Sequence, residues 1–317
     1  MHSHHSHSGQ YVAHANDSLE CMVERAEANG FTHFCLTEHM PRLDSRFLYP
    51  EEIELEFTVN TLAEKFDDYI NHAVSLQDQY NFKKSMKLLV GFEIEGIDES
   101  HINYAKQLIH SSKINMTVGS VHFVNLIPID FNSELWLRAR DSTRDKTSRG
   151  LYKEYFEIQY QVISQLKPTV IGHFDLIRLQ EPIDEIDPTT NKKLSDVDIR
   201  QDWPDVWELA CRNIKYAIDY GALFELNSSA IRKGWETPYP KRDFATIIDQ
   251  FGGKFCLSDD SHGTIQVGLN FQKVLEYAIS LKLKNLYYLD LDEKKTLLVK
   301  SISISELLQS KFWKQYQ

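Results

Sequence analysis

The sequence predicts an α/β protein of one domain built on parallel strands, either a (βα) barrel or a doubly wound sheet. Three observations carry that prediction. Short apolar segments alternate with amphipathic helical patterns along the whole chain. The apolar segments are mostly continuous runs, as in strands covered on both faces, and not the strict alternation of a half-solvated sheet. No fixed-period repeat or low-complexity linker divides the 317 residues, a length that one α/β barrel can use in full.

Seven segments read as strands: 32–37 (THFCLT), 87–94 (KLLVGFEI), 116–123 (MTVGSVHF), 169–173 (TVIGH), 222–226 (ALFEL), 254–257 (KFCL) and 285–289 (NLYYL). Between them, 17–29 has a capping Asp17/Ser18 start, apolar spacing through Leu19, Met22, Val23 and Ala26, and Gly30 as its stop. Segments 51–80, 150–166, 203–220, 241–251 and 271–281 repeat the helical pattern. The polar, acidic stretch 182–204 holds three prolines and reads as a surface insertion on a domain spanning 1–317, because the apolar helical pattern resumes directly after it.

Composition narrows the function classes. With 35 basic and 46 acidic side chains the formal charge is -11, which argues against a nucleic-acid binder, although a local phosphate pocket remains compatible with it. A 42% hydrophobic and 12% aromatic content suits a folded globule with a large core. No run of about 18 apolar residues occurs, so no membrane span is expected. No signal-peptide stretch opens the chain, and the four cysteines form no CxxC pair, so a reduced cytoplasmic protein is the expectation.

The 13 histidines are the unusual count, and their placement matters more than their number. Metal-capable groups fall at or just past the C-terminal ends of the strand segments: Glu38 and His39, Glu93 and Glu95, His122, His173 and Asp175, and then Asp259, Asp260 and His262. Barrel strands deliver such ends to one mouth. Together with the N-terminal histidines, six segments would aim imidazoles and carboxylates into one volume. Mixed nitrogen and oxygen donors without cysteine suit Zn, Fe or Mn. Divalent cations would remove the cost of packing so many such groups together. The N-terminal run MHSHHSHSG reads as part of the fold and not as an appended tag: it is interrupted by serines and runs straight on to His14 and the helix near Asp17. Alternate histidines on an extended segment point the same way, so His-x-His can chelate one ion. His33, His72, His101 and His110 lie within or before elements and read as ordinary side chains.

HSHHSHS with His14, TEHMPR (37–42), GFEIEG (91–96), SVHF (120–123), GHFDLIR (172–178), ELNSSAIRKG (225–234) and SDDSH (258–262) together resemble the PHP (polymerase and histidinol phosphatase) superfamily. Within it they look most like the fungal-type monofunctional histidinol-phosphatases. The resemblance runs from residue 2 to 262. It implies a distorted, TIM-like (βα)7 barrel with three divalent metal ions at its mouth. By matching position, His5 and His7 would hold the first ion with Glu93 and Asp260. Glu93 would bridge to a second, completed by His122 and His173; His14, His39 and His262 would hold the third. His5-Ser6-His7 is preferred because Ser8 follows it as in the family motif and His7 lies nearer the usual distance from His14. His2-Ser3-His4 offers the same spacing and stays open, since the strand that normally precedes the motif is almost absent here. Asp260 fits the Asp-x-His pattern better than Asp259. Glu95 and Asp175 would orient ligating imidazoles.

The implied activity is hydrolysis of a small phosphate monoester, L-histidinol phosphate, in histidine biosynthesis, by attack of a metal-bound hydroxide with Glu93, Asp260 and His262 at the reacting centre. No glycine-rich phosphate loop points to nucleotide-dependent transfer. Arg42, Arg178 and Arg232 each follow a strand-end motif and are the expected phosphate clamps. Glu38, Glu95 and Asp44 are candidates for the substrate's cationic groups. Two other readings stand beside this one: a PHP phosphoesterase for another small phosphate or for nucleotide ends, and a non-enzymatic metal-binding protein.

Overall fold

The computed structural model describes residues 1–83 and 85–315. In chain order its regular elements are β1 (His2–Ser3), α1 (Leu19–Ala28), β2 (His33–Leu36), α2 (Pro50–Glu54), α3 (Val59–Lys83), β3 (Lys87–Glu95), α4 (Glu99–Ile109) and β4 (Met116–Ser120). A small hairpin follows, β5 (Phe123–Val124) with β6 (Ile127–Pro128), then α5 (Ser133–Ser142), α6 (Ser148–Leu166), β7 (Val170–Ile171), α7 (Ile199–Asp202), α8 (Pro204–Tyr220), β8 (Leu223–Asn227) and α9 (Ser229–Arg232). The chain ends with α10 (Arg242–Gln250), β9 (Lys254–Ser258), α11 (Phe271–Ser280), β10 (Asn285–Leu291), β11 (Leu297–Ser303) and α12 (Ile304–Leu307).

Seven strands form one parallel sheet in the order β1-β2-β3-β4-β7-β8-β9. Its two edges meet: the His4 amide donates to the Leu257 carbonyl at 3.1 Å and the Asp260 amide to the His5 carbonyl at 3.1 Å. The sheet is therefore a barrel and not the doubly wound alternative. The count of seven matches the sequence reading, but the membership differs. The histidine run itself supplies the first strand, His2 pairing with His33 and Ser3 with Phe34. The 285–289 strand lies outside the barrel, in an antiparallel hairpin with β11.

Side-chain alternation explains why both strand faces are apolar. Phe34, Leu36, Leu88, Val90 and Phe92 point outward to the helices and join the main core. Cys35, Leu89, Val118, Val170, Leu223 and Cys256 form a separate inner cluster, against which Leu289 and Leu291 of β10 pack. The hairpin thus stoppers the barrel at one end, and the inner face is left free to become polar toward the other.

The helices follow local rules. Ser18 caps α1 by accepting from the Cys21 amide, and α8 begins on Pro204 and ends on left-handed Gly221. The expected helix 51–80 is two helices, α2 and α3, separated where Glu56 takes φ 56°. Segments 99–109 and 133–142, not anticipated as helices, are started by Asp98 and Asn132, whose side chains accept from amides three residues on. Segment 182–204 adds no strand to the barrel.

Asp290 ties the hairpin to the barrel: its carboxylate meets Lys87 of β3 and Lys300 of β11, each at 2.5 Å. Burial alone would raise its pKa, but the two ammonium groups hold it well below the usual carboxylate range. A carboxyl whose pKa falls on folding stabilises the protein above its unfolded pKa of about 4 and loses that contribution as the solution is acidified. Asp290→Asn is expected to lower the melting temperature at neutral pH by a few degrees and to flatten its fall below about pH 4. Melting curves of both proteins across pH check this, and an unchanged acid limb would reject it.

Candidate metal centre

The inner face carries the site. Following strand periodicity, Cys35 of the inner cluster is followed four residues on by His39, Leu89 by Glu93, Val118 by His122 and Cys256 by Asp260. Four residues of strand are about 13 Å of rise, the distance from the apolar stopper to the mouth. Gly91, Ser120 and Ser258, small or short side chains, stand between the two levels. The short strand β7 breaks the rhythm, with His173 three residues beyond Val170.

One carboxylate is shared by the imidazoles. Glu93 Oε2 lies 3.2 Å from His5 Nε2, 3.4 Å from His7 Nε2 and 2.9 Å from His39 Nδ1. Glu93 Oε1 lies 3.1 Å from His173 Nε2 and 3.4 Å from His122 Nε2. Asp260 Oδ1 comes within 3.8 Å of His5 Nε2 and 3.5 Å of His7 Nε2. Asp260 takes a left-handed φ of 47°, strained for a residue with a side chain but tolerated best by Asp and Asn. Its other oxygen accepts from Ser229 Oγ at 3.0 Å. His7 lies with its ring centroid 4.4 Å from His39 and 4.5 Å from His262, and His14 stands 5.3 Å from His39 and 4.9 Å from His262.

Carboxylates behind the imidazoles fix which nitrogen faces inward. Glu225 accepts from His5 Nδ1 at 3.2 Å and Glu95 from His122 Nδ1 at 2.9 Å, leaving each Nε2 to face the centre. Glu38 lies 3.5 Å from His7 Nδ1 and accepts from the Ser8 amide and hydroxyl. Burial would lower the imidazole pKa values, but Glu93 and Glu95 outweigh it, pushing His39 up to about 10 and His122 up to about 9. Burial, with His39 and His7 beside it, holds His14 well below its usual range; burial and His7 do the same to His262. The Glu93 carboxyl is held well below the ordinary range, because His5, His39 and His122 overcome its burial.

These residues fit divalent cations. The buried atoms His5 Nε2, His7 Nε2 and His39 Nε2 have no hydrogen-bond partner. The Nε2 atoms of His122 and His173 face each other at 3.3 Å, where at most one can carry a proton between them. Four groups have metal-ligating spacing: His5, His7 and Asp260; Glu93, His122 and His173; His7, His39 and His262; and His39, Glu95 and His122. Divalent cations held by these groups would accept the lone pairs that are otherwise directed at one another.

All nine expected ligands meet at this mouth. His2 and His4 do not. His4 Nδ1 donates to the Leu257 carbonyl at 3.0 Å and its Nε2 accepts from the Leu289 amide, while His2 Nε2 accepts from the Leu257 amide. Asp259 is also elsewhere, accepting from the Gly268 amide, with burial pushing it up to about 6. Two of the three expected phosphate clamps are corrected. Arg42 is buried against Glu52, faces Glu95 at 3.6 Å and lies over the Tyr49 ring, and Arg178 forks onto Asp243 at 3.0 and 2.6 Å. Neither lines the central cavity of about 340 Å³, whereas Arg232 does, with Lys233 beside it. Asp175 pairs with Arg178 and the Lys241 amide and, among the described residues, makes no hydrogen bond or ion pair with an imidazole. Asp44, expected near the substrate, pairs with Arg46 in an exposed turn, and Glu38 and Glu95 lie behind the histidines. Sequence reasoning missed Glu225, although it opens the ELNSSAIRKG motif, and missed the cavity residues Glu51, Asp130 and Lys233.

A closed parallel barrel with a histidine- and carboxylate-rich cluster at the C-terminal strand ends defines the class of α/β-barrel proteins with a candidate metal site at the barrel mouth. The PHP domain model matches residues 3–229. The chain is 36% identical over 333 residues to the histidinol-phosphatase of Saccharomyces cerevisiae, covering 99% of each. It is 42% identical over 275 residues to the probable histidinol-phosphatase of Schizosaccharomyces pombe, covering 87% of this chain and 85% of that one. Its fold is also that of a Lactococcus lactis histidinol phosphate phosphatase solved with Zn, L-histidinol and phosphate, at a TM-score of 0.57, 18% identity and coverage of 90% and 95%. The chain belongs to the PHP domain family.

Glu225 offers a test of the centre that spares its expected ligands. Glu225→Gln should keep the fold and weaken retention of divalent ions by about 10- to 100-fold. Metal content after dialysis against graded chelator measures it; unchanged retention would take Glu225 out of the centre.

Proposed function

We propose that the protein is a metal-dependent phosphomonoesterase that hydrolyses L-histidinol phosphate to L-histidinol and phosphate. The observation that carries the reading is the Glu93 carboxylate, met by five imidazole nitrogens within 3.4 Å at the floor of a cavity with a cationic wall. The names of the two yeast relatives and the ligands of the Lactococcus lactis structure support the substrate.

In this reading three divalent ions, of Zn, Fe or Mn type, are held by His5, His7, Glu93 and Asp260; by Glu93, His122 and His173; and by His14, His39 and His262. Such ions supply a water of lowered pKa and neutralise charge on phosphoryl oxygens. The chain's own residues do the rest. Glu225, Glu95 and Glu38 hold the imidazoles in the orientation that turns nitrogen lone pairs inward. Arg232 is fixed by the Asp260 carbonyl at 3.0 Å, beside an expected ligand, and meets the phosphate dianion together with Lys233. Arg42 positions Glu95 and Arg178 braces the wall, so both act through neighbours. The four unpaired cysteines suit a reducing compartment, and we place the enzyme in the cytoplasm. Among the described residues no helix is long and apolar enough to cross a membrane.

Five substitutions and one comparison of substrates test the reading. Glu93→Ala, His122→Ala and Asp260→Ala should each lower kcat by at least about 100-fold with the circular dichroism spectrum retained. Glu93→Ala with wild-type rate and metal content would remove the bridge assignment. Steady-state rates on L-histidinol phosphate should exceed those on nucleotide and sugar phosphates; equal rates point to a different PHP substrate. Arg232→Ala should raise KM for the phosphate ester by about tenfold or more, whereas Arg178→Ala should lower thermal stability with the larger share of KM intact.

A further inference from the structure

The cavity over the centre has two chemically different walls. Arg232 and Lys233 come from the segment after β8, next to Asp260 and His262 after β9. Tyr49 and Glu51 come from the segment after β2, and Asp130 and Phe131 from the segment beyond β4. In the ring of strands, β2 and β4 flank β3, while β8 and β9 lie on the far side of β7. Apart from the expected ligands Glu93 and Asp260, positive and negative groups therefore enter the cavity from separate arcs of the barrel.

The two acids differ from every other carboxylate of the site. Glu93 and Asp260 are engaged by imidazoles, and Glu95, Glu38 and Glu225 lie behind them. The carboxylates of Asp130 and Glu51 have no hydrogen bond or ion pair among the described residues, yet both line the cavity. Asp130 lines the same cavity as the expected ligands Glu93, His122 and His173. Phe131 and Tyr49, the latter stacked on Phe123 with ring centroids 6.4 Å apart, give the same arc flat apolar surface. A half-buried carboxylate facing a ligand cavity without a partner suits a cation, and an aromatic surface beside it suits a planar one.

We propose that Asp130, together with Glu51, is the specificity determinant of the enzyme, accepting hydrogen bonds from the cationic amine or imidazolium of the leaving alcohol while Arg232 and Lys233 hold the phosphate. This rests on the phosphomonoesterase reading above and adds the residues that select its substrate. The polarised cavity orients the ester: its dianionic end toward the arc of β8 and β9, its cationic end toward the arc of β2 and β4. Neutral alkyl phosphates meet the same centre but gain nothing from the acidic arc.

The test uses the metal-loaded enzyme with two alkyl monoesters of similar leaving-group basicity, L-histidinol phosphate and n-propyl phosphate, and with L-histidinol and inorganic phosphate as inhibitors. Asp130→Asn preserves shape and removes only the charge. It should raise KM for L-histidinol phosphate by about 10- to 100-fold, the range of a lost hydrogen bond to a charged group, and leave kcat within about twofold. Inhibition by L-histidinol should weaken by the same factor, and kcat/KM for n-propyl phosphate and inhibition by phosphate should not change. Glu51→Gln, on a separate element, should show the same pattern with a smaller factor. Unchanged discrimination in both variants overturns the proposal and leaves the phosphatase reading standing. An equal fall in kcat with both esters overturns it in favour of a proton-donating or structural role. A wild-type enzyme that fails to prefer L-histidinol phosphate overturns the substrate reading, and this assignment with it.

Discussion

The structure depends on one buried carboxylate shared among imidazoles. Glu93 is fully enclosed, and burial alone would favour its neutral form, yet five histidines surround it and hold it ionised. Without cations the balance is met by protons, which is why His39 and His122 are drawn up to about 10 and about 9. The same nitrogens are the expected ligands, so protons and metal ions compete for one set of lone pairs. Replacing several protons by a few divalent charges would leave the carboxylates neutralised and remove the nitrogen–nitrogen conflict between His122 and His173. The barrel is the device that permits this crowding, because the nine expected ligands lie on or follow six of its seven strands, with Glu225 of the remaining strand behind His5, and no single loop must carry them all.

The fold class and most strands were legible because a strand buried on both faces leaves a continuous apolar run, and five of the seven such runs carry an expected metal ligand at or just past their ends. The four-residue offset from Cys35 to His39, Leu89 to Glu93, Val118 to His122 and Cys256 to Asp260 is a periodicity statement that the sequence already contains. Two features were not legible. A strand of two residues, His2–Ser3, carries no apolar signature, since its side chains are read as ligands or polar groups before they are read as sheet. β10 has the composition of a barrel strand because it too is buried, but burial does not say against what, and only the antiparallel pairing with β11 places it beneath the barrel.

The arginines show where motif position stops being informative. Arg42, Arg178 and Arg232 all follow strand-end motifs, and a guanidinium after such a motif has two fates: the cavity, or a neighbouring carboxylate. Glu52 and Glu95 claim Arg42, and Asp243 and Asp175 claim Arg178; of these, Glu95 and Asp243 come from segments that the sequence does not juxtapose. Arg232 escapes because its nearest partners are the carbonyls of Asp259 and Asp260, which satisfy some of its N–H groups without neutralising its charge. The same reasoning separates Glu225 from Asp175. Both precede or follow a strand-end motif, but Glu225 lies on the inner-face repeat two residues beyond Leu223, whereas Asp175 lies on the turn after the broken rhythm of β7.

Closure of the barrel and assembly of the centre are one event at the N-terminus. Alternation along the extended run turns His5 and His7 to Glu93 and turns His2 and His4 the other way, onto backbone groups of β9 and β10. His4 in particular bonds the Leu257 carbonyl and the Leu289 amide at once, so one imidazole stitches the last barrel strand to the hairpin that stoppers it. Burial lowers the pKa of His4 to about 4, which keeps one nitrogen free to accept at neutral pH. Donor and acceptor are both required there, and a protonated ring would offer only donors. The serines between the histidines complete the seam, Ser6 Oγ donating to the Cys35 carbonyl at 2.7 Å. A run that looks like a chelating tract is therefore a strand whose two faces do different work: one closes the sheet, the other supplies the centre. A one-residue slip in its register would exchange those faces and disable both.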